Sequence, residues 1–101
     1  MRIEIQSANR KDFHTIEAEP ISLEILSDFS FAVHQSVNTG QWSVTEISTG
    51  LKICIPQDSR EAAIENAIQQ IERMGIEATK SRIRDAAFEF TMLKAERLMK
   101  A

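Results

Sequence analysis

The side chains best suited to chemistry are spread along this chain without forming a group. His14 and His34 fall on different strand candidates, and neither has a second His, a Cys or a carboxylate at the spacing a metal site uses. His34 alternates with Ala32 and Ser36, opposite Phe31 and Val33, so the pattern predicts that it faces solvent. The acidic pairs Glu17/Glu19 and Glu61/Glu65 read as strand-edge and helix-surface residues. A glycosidase-type pair needs a cleft between its carboxyl groups, which so small a domain rarely supplies. No serine sits in a Gly-x-Ser-x-Gly elbow. Glycines at 40, 50 and 75 cannot form a phosphate loop or a dinucleotide fingerprint. These residues point away from an enzyme, and from any cofactor, metal or small-molecule substrate.

The elements available to position a site fit one domain, residues 1–101. Hydrophobic residues make up 43% of the chain and charged residues 27%, enough for a single core and close to globular averages. Apolar runs are only a few residues long, too short for a membrane span. The N-terminal MRIEIQSANRKD lacks the apolar stretch of a signal peptide. The lone Cys54 excludes an internal disulfide framework and reads as a small half-buried strand residue. Both features fit the reducing cytoplasm.

The first half has strand periodicity and the second has helix periodicity. Arg2–Gln6 alternates with Ile3 and Ile5 inward, and Ser7–Asp12 is a polar turn. Phe13–Ala18 is a weaker strand candidate, ended by Pro20. The alternation of Ile21, Leu23 and Ile25 favours a strand over Ile21–Leu26. A short helix would also suit Pro20 at its first position and the spacing of Leu26 and Phe29. Phe31–Val37 and Trp42–Ser48 pair through the loop Asn38-Thr39-Gly40, and Thr49-Gly50 turns the chain into Leu51–Ile55 before Pro56 ends the sheet.

Asp58 is the predicted N-cap of the first helix, in a capping-box-like arrangement with Glu61. From Ser59 to Met74 one apolar face (Ala63, Ile64, Ala67, Ile68, Ile71, Met74) should pack on the sheet with Val33, Val44 and Ile53. Gly75 sits where a positive-φ helix end belongs, and Ile76–Ala78 links to Thr79 as the second N-cap. The predicted fold is α+β: an antiparallel β-meander sheet of four to six strands followed by two C-terminal helices, in a two-layer sandwich.

The last helix carries two apolar stripes. At about 100° per residue, Ile83, Ala87, Phe90 and Leu98 fall on one side, and Phe88, Met92, Ala95 and Met99 roughly on the other. One stripe suffices to dock a helix on its own domain. The second needs a neighbour: another protein, a second copy in a homodimer, or the N-terminal strands and the segment around Phe13 folding over it. Phe88, Met92 and Met99 are therefore candidate protein-interaction residues. Trp42, the sole Trp, joins them as a candidate anchor, although its place near Phe29 and Phe31 better suits cross-strand packing.

Charge divides along the same boundary. Residues 1–58 carry a net −4 and residues 79–101 a net +3. Lys80, Arg82 and Arg84 at a helix start would reach phosphates if the chain bound nucleic acid. Asp85, Glu89 and Glu96 interrupt that basic run, and the whole chain is at −3, whereas nucleic-acid binders generally present a basic stripe. In layout, residues 42–72 (strand, Gly turn, strand, amphipathic helix) resemble small integrase-type DNA-binding domains. Such domains bind through a basic sheet, where this one offers only Lys52 against Glu46. The favoured expectation is a non-catalytic protein-binding module. It would act as a dimer, or as an inhibitor of the phage or mobile-element kind, anti-CRISPR proteins included, that masks a host protein. A small nucleic-acid-binding domain using the basic helix is the alternative.

Overall fold

A computed structural model describes residues 2–6, 13–36 and 38–100. The predicted turn Ser7–Asp12, Val37, and the side chains of Ile5, His14, Phe90, Leu98 and Met99 lie outside the described set. Strands β1 (Arg2–Gln6) and β2 (Phe13–Glu17) form an antiparallel hairpin of their own. Strands β3 (Glu19–Ile21), β4 (Phe31–Gln35), β5 (Trp42–Glu46) and β6 (Leu51–Lys52) form a second antiparallel sheet in sequence order. Helices α1 (Arg60–Met74) and α2 (Ile76–Lys100) follow. This is the α+β order that the periodicity predicts, with its strands divided between two sheets.

The core forms where α1 meets β4 and β5. Phe31, Val33 and Val44 present one face of the sheet, and Ala63, Ala67 and Ile71 of α1 cover it; all six are at most 1% exposed. The spacing i, i+4, i+8 puts the two alanines at the closest approach, where small side chains let the helix backbone lie near the sheet. Ile64 and Ile68, predicted as core, are half-buried flanks of that line, and Met74 is exposed. The centre of the apolar stripe is narrower than its sequence suggests because alanines take the contact.

The opposite face of the sheet is also buried, which overturns the solvent-facing reading of His34. Ala32, His34, Ser43 and Thr45 are all under a tenth exposed, and His34 Nε2 lies 2.8 Å from Thr45 Oγ1. Alternation with polar residues signals a solvated face only when those residues lack partners within the sheet. The β1–β2 hairpin meets this sheet at its edge strand, β1 lying near β6, and its Ile3 is buried.

Other local expectations shift for identifiable reasons. Pro20 does not end a strand; it lies inside β3, the edge of its sheet, where a missing N–H costs no ladder bond. After Ile21 the chain leaves the sheet, and Glu24–Leu26 is a 3₁₀ turn that buries Leu23 and Leu26 together. Gly40 and Gly50 take φ of 74° and 71° in the two hairpin loops, as the meander requires.

Beyond Lys52 the last strand bulges. Lys52 pairs Thr45 while Gln57 bridges Trp42, so two extra residues sit in the β6 side, and pairing resumes past Pro56. At the bulge the Val44 N–H donates to Cys54 Sγ at 3.0 Å. Burial pushes the Cys54 thiol above its ordinary value of 9.0, so it stays protonated at neutral pH. The N-cap of α1 is Ser59, not Asp58: Ser59 is extended (φ −138°, ψ 159°) and its hydroxyl accepts the Ala62 N–H.

The turn after β5 is held by a buried carboxylate. Glu46, 1% exposed, accepts four hydrogen bonds. The Ser48 N–H donates to its Oε2, and the Ser48 hydroxyl, the Thr49 N–H and the Thr49 hydroxyl donate to its Oε1. The Thr49 hydroxyl in turn accepts the Leu51 N–H, so the network runs from β5 into β6. Glu46→Gln replaces Oε2 with a donor facing the Ser48 N–H, and unfolding in urea should show a loss of about 1.5–3 kcal/mol. A loss below half a kcal/mol would show that the turn does not depend on the carboxylate.

An exposed ion pair ties the edge strand to α1. Arg60 donates to Glu19, and the guanidinium holds the Glu19 carboxyl below its ordinary value of 4.5. The lowered folded value means the stabilisation is complete above about pH 4.5 and is lost as the pH falls through the lower value. Glu19→Gln should therefore flatten the acid limb of Tm against pH while leaving Tm at pH 7 only slightly lower. An unchanged acid limb would remove Glu19 as a contributor.

Candidate functional site

Gly75 decides where the second helix goes, since it is the one residue between α1 and α2. Its N–H donates to the Ile71 carbonyl at 2.8 Å and closes α1. Its own carbonyl accepts the Thr79 N–H at 3.0 Å and the Thr79 hydroxyl at 2.9 Å, which opens α2. The predicted positive φ is present at 96°, with an extended ψ of 145° in place of a left-handed helical one. Thr79 is consequently not an N-cap. It lies inside the helix, buried and bonded back to the carbonyl four residues earlier, because the ladder begins at the Gly75 carbonyl, four residues sooner than the sequence suggests.

From that bend α2 runs 25 residues, about 37 Å. Thr79, Ile83 and Ala86 (i, i+4, i+7) are buried, and Ile83 completes the core cluster. Ala87, placed in the inner stripe by sequence, is half-buried, with Ala86 taking the closer contact. Beyond Ala87 every described side chain of the helix is exposed. Phe88 is 69% and Met92 51% exposed, so no described part of the chain folds over the second stripe. Asp85 and Glu89 share this face with them at i, i+3, i+4, i+7 spacing, and Arg84 borders its N-terminal margin. The outer face of α2 is thus apolar with two exposed acids.

A second feature lies at the base of the same helix. A groove of 240 Å³ opens between the β6–Ile55 segment, the end of α1 and the first turns of α2. Ile71 and Ile83 are its buried walls, and exposed Ile55 and Met74 flank it. Lys52 and Arg82 are its only charged lining residues, and neither has an ion-pair partner among the described residues. The volume falls below the roughly 300–1,000 Å³ of small-molecule sites, and suits one or two side chains. Sequence reasoning missed the groove because its walls come from three separated elements. The available signal was Met74, the last member of the α1 stripe, with no further turn of its own helix to pack beside.

The remaining sequence candidates are dispersed. Lys80 lies 3.9 Å from both Asp28 and Glu77, Arg82 lines the groove, and Arg84 is exposed. Steps of about 200° between them send Lys80 and Arg84 to one side of α2 and Arg82 to another, so the three cations do not make one surface. Trp42 is half-buried and packs against the core cluster. Among the described residues no group of three metal-ligating side chains occurs, and no helix is long and apolar enough to cross a membrane.

A Cβ at Gly75 would meet no atom within 4 Å, so the cost of Gly75→Ala is torsional alone. We expect a loss of about 1–3 kcal/mol in denaturant unfolding. Straightening of the bend would relieve the strain by fusing α1 and α2 into one rod of roughly 60 Å. Small-angle scattering would then show a radius of gyration well above the 13.5 Å Cα value of the native fold. A variant with unchanged stability and dimensions would show that Gly75 does not control the helix direction.

No protein-family model, curated protein or solved structure matches this chain.

Proposed function

We propose that this chain is a non-catalytic protein-binding module that docks through the outer face of α2. The observation that carries this reading is the exposure of Phe88 and Met92 on a helix whose opposite face is anchored by Ile83. Burying a Phe or Met side chain is worth about 1.5–3 kcal/mol, and a helix already held in place presents both at little further cost in conformational entropy. Anchors at i, i+4 with acidic neighbours match the way an amphipathic helix is received by an apolar groove on a partner.

Masking of a host protein, as phage and mobile-element inhibitors do, anti-CRISPR proteins included, is the biological form of this proposal. The small size and the net −4 of residues 1–58 support it, since an acidic surface can compete for a basic target groove. A free, protonated Cys54 suits a cytoplasmic setting. The divided placement of Lys80, Arg82 and Arg84 weighs against the nucleic-acid alternative.

Affinity capture from host extract with immobilised wild type and with Phe88→Glu/Met92→Glu tests the proposal. Both substituted positions are exposed, so circular dichroism and Tm should match wild type. A partner retained by wild type and lost by the variant is the expected result. Identical captures from both would remove this face as the docking surface.

A further inference from the structure

The outer face of α2 and the groove at its base are chemically complementary. The face offers Phe88 and Met92 beside the exposed acids Asp85 and Glu89. The groove offers Ile55 and Met74 beside Lys52 and Arg82, which have no ion-pair partner among the described residues, and no carboxylate is among its described lining residues. Its 240 Å³ is the size of one or two such side chains. Apolar surface meets apolar surface, and two acids meet two bases, so each patch supplies what the other lacks.

We propose that the groove of one copy receives the Phe88–Met92 face of a second copy. This rests on the reading of that face as a docking surface and names its partner as the chain itself. On an ideal helix Met92 points about 180° away from Ile83, whose side chain lines the groove. Face and groove therefore look to different sides of α2, and one chain cannot fill its own groove. The contact joins two different patches, which makes it heterologous, head to tail. A patch of this size gives a small interface, so association is concentration-dependent and weakens with salt as the acid–base contacts are screened.

The experiment is sedimentation of purified full-length protein, alone and in mixtures. Wild type should self-associate as its concentration rises. Phe88→Glu/Met92→Glu, which spoils the face, and Ile55→Glu/Arg82→Glu, which spoils the groove, should each sediment as folded monomers. Mixed in equal amounts, they should form a one-to-one dimer, because one intact face and one intact groove remain between them. A wild type that stays monomeric at about 1 mM overturns the proposal. So does a groove variant that associates as wild type does, which would show face pairing with face, or a mixture that stays monomeric. A monomeric wild type that still captures another protein through Phe88 and Met92 defeats self-docking alone and leaves the protein-binding reading standing.

Discussion

The structure depends on the conformation of Gly75. Only a residue without a Cβ takes φ 96° with an extended ψ at no strain. That conformation lets one residue close α1 with its N–H and open α2 with its carbonyl. The bend returns Thr79, Ile83 and Ala86 to the domain, where Ile83 joins the cluster built on Phe31, Val33 and Val44. It also fixes what is left outside. Once Ile83 is inward, helical periodicity turns Phe88 and Met92 outward, and the same first turns of α2 form one wall of the groove beside Ile55 and Met74. Core completion and surface display are two consequences of a single backbone geometry.

The sheet shows a different balance. One face is filled by apolar side chains and two alanines of α1, so its stability comes from area removed from water and close packing. The other is small and polar, and there burial is tolerated because His34 and Thr45 are within hydrogen-bond distance of each other. Glu46 extends that logic to a charge: its carboxylate is buried only where Ser48 and Thr49 aim four donors at it. The β5–β6 connection is thereby specified by chemistry as well as by Gly50. Cys54 has a comparable local use at the bulge, where its sulfur accepts a Val44 N–H that the shifted register leaves without a backbone partner.

Surface charge follows the fold more closely than it follows sequence order. The basic run Lys80, Arg82, Arg84 looks like one feature when written out, yet a helix distributes it around its circumference. Lys80 is drawn to Asp28 and Glu77, and Arg82 enters the groove. The cations therefore act as separate local contacts, one of them in a socket that has no acid of its own. That dispersal supports the proposed protein partner, bearing acids among apolar side chains, more than a phosphate backbone, which would require a continuous track.

Periodicity and turn chemistry by themselves determined the strand-then-helix order, the two hairpin loops at Gly40 and Gly50, the helix end at Gly75 and the second stripe on α2. Each of these rests on interactions within a few residues or on a strong repeat. What only the tertiary structure decided depends on which surfaces meet. Alternation placed His34 opposite Phe31 correctly but could not tell that the far side of the sheet is also covered. Ile21–Leu26 alternates like a strand, yet Leu23 and Leu26 are more deeply buried by a 3₁₀ turn. Local capping rules offered both Asp58 and Thr79, and the actual caps moved by one residue or more because the bend at Gly75 and the Ser59 hydroxyl supplied better-placed groups. The groove was beyond sequence reasoning altogether, since Lys52, Met74 and Arg82 become neighbours only when three elements converge. Local pattern specifies the elements; the sharing of buried area between them specifies which side chains remain for a partner.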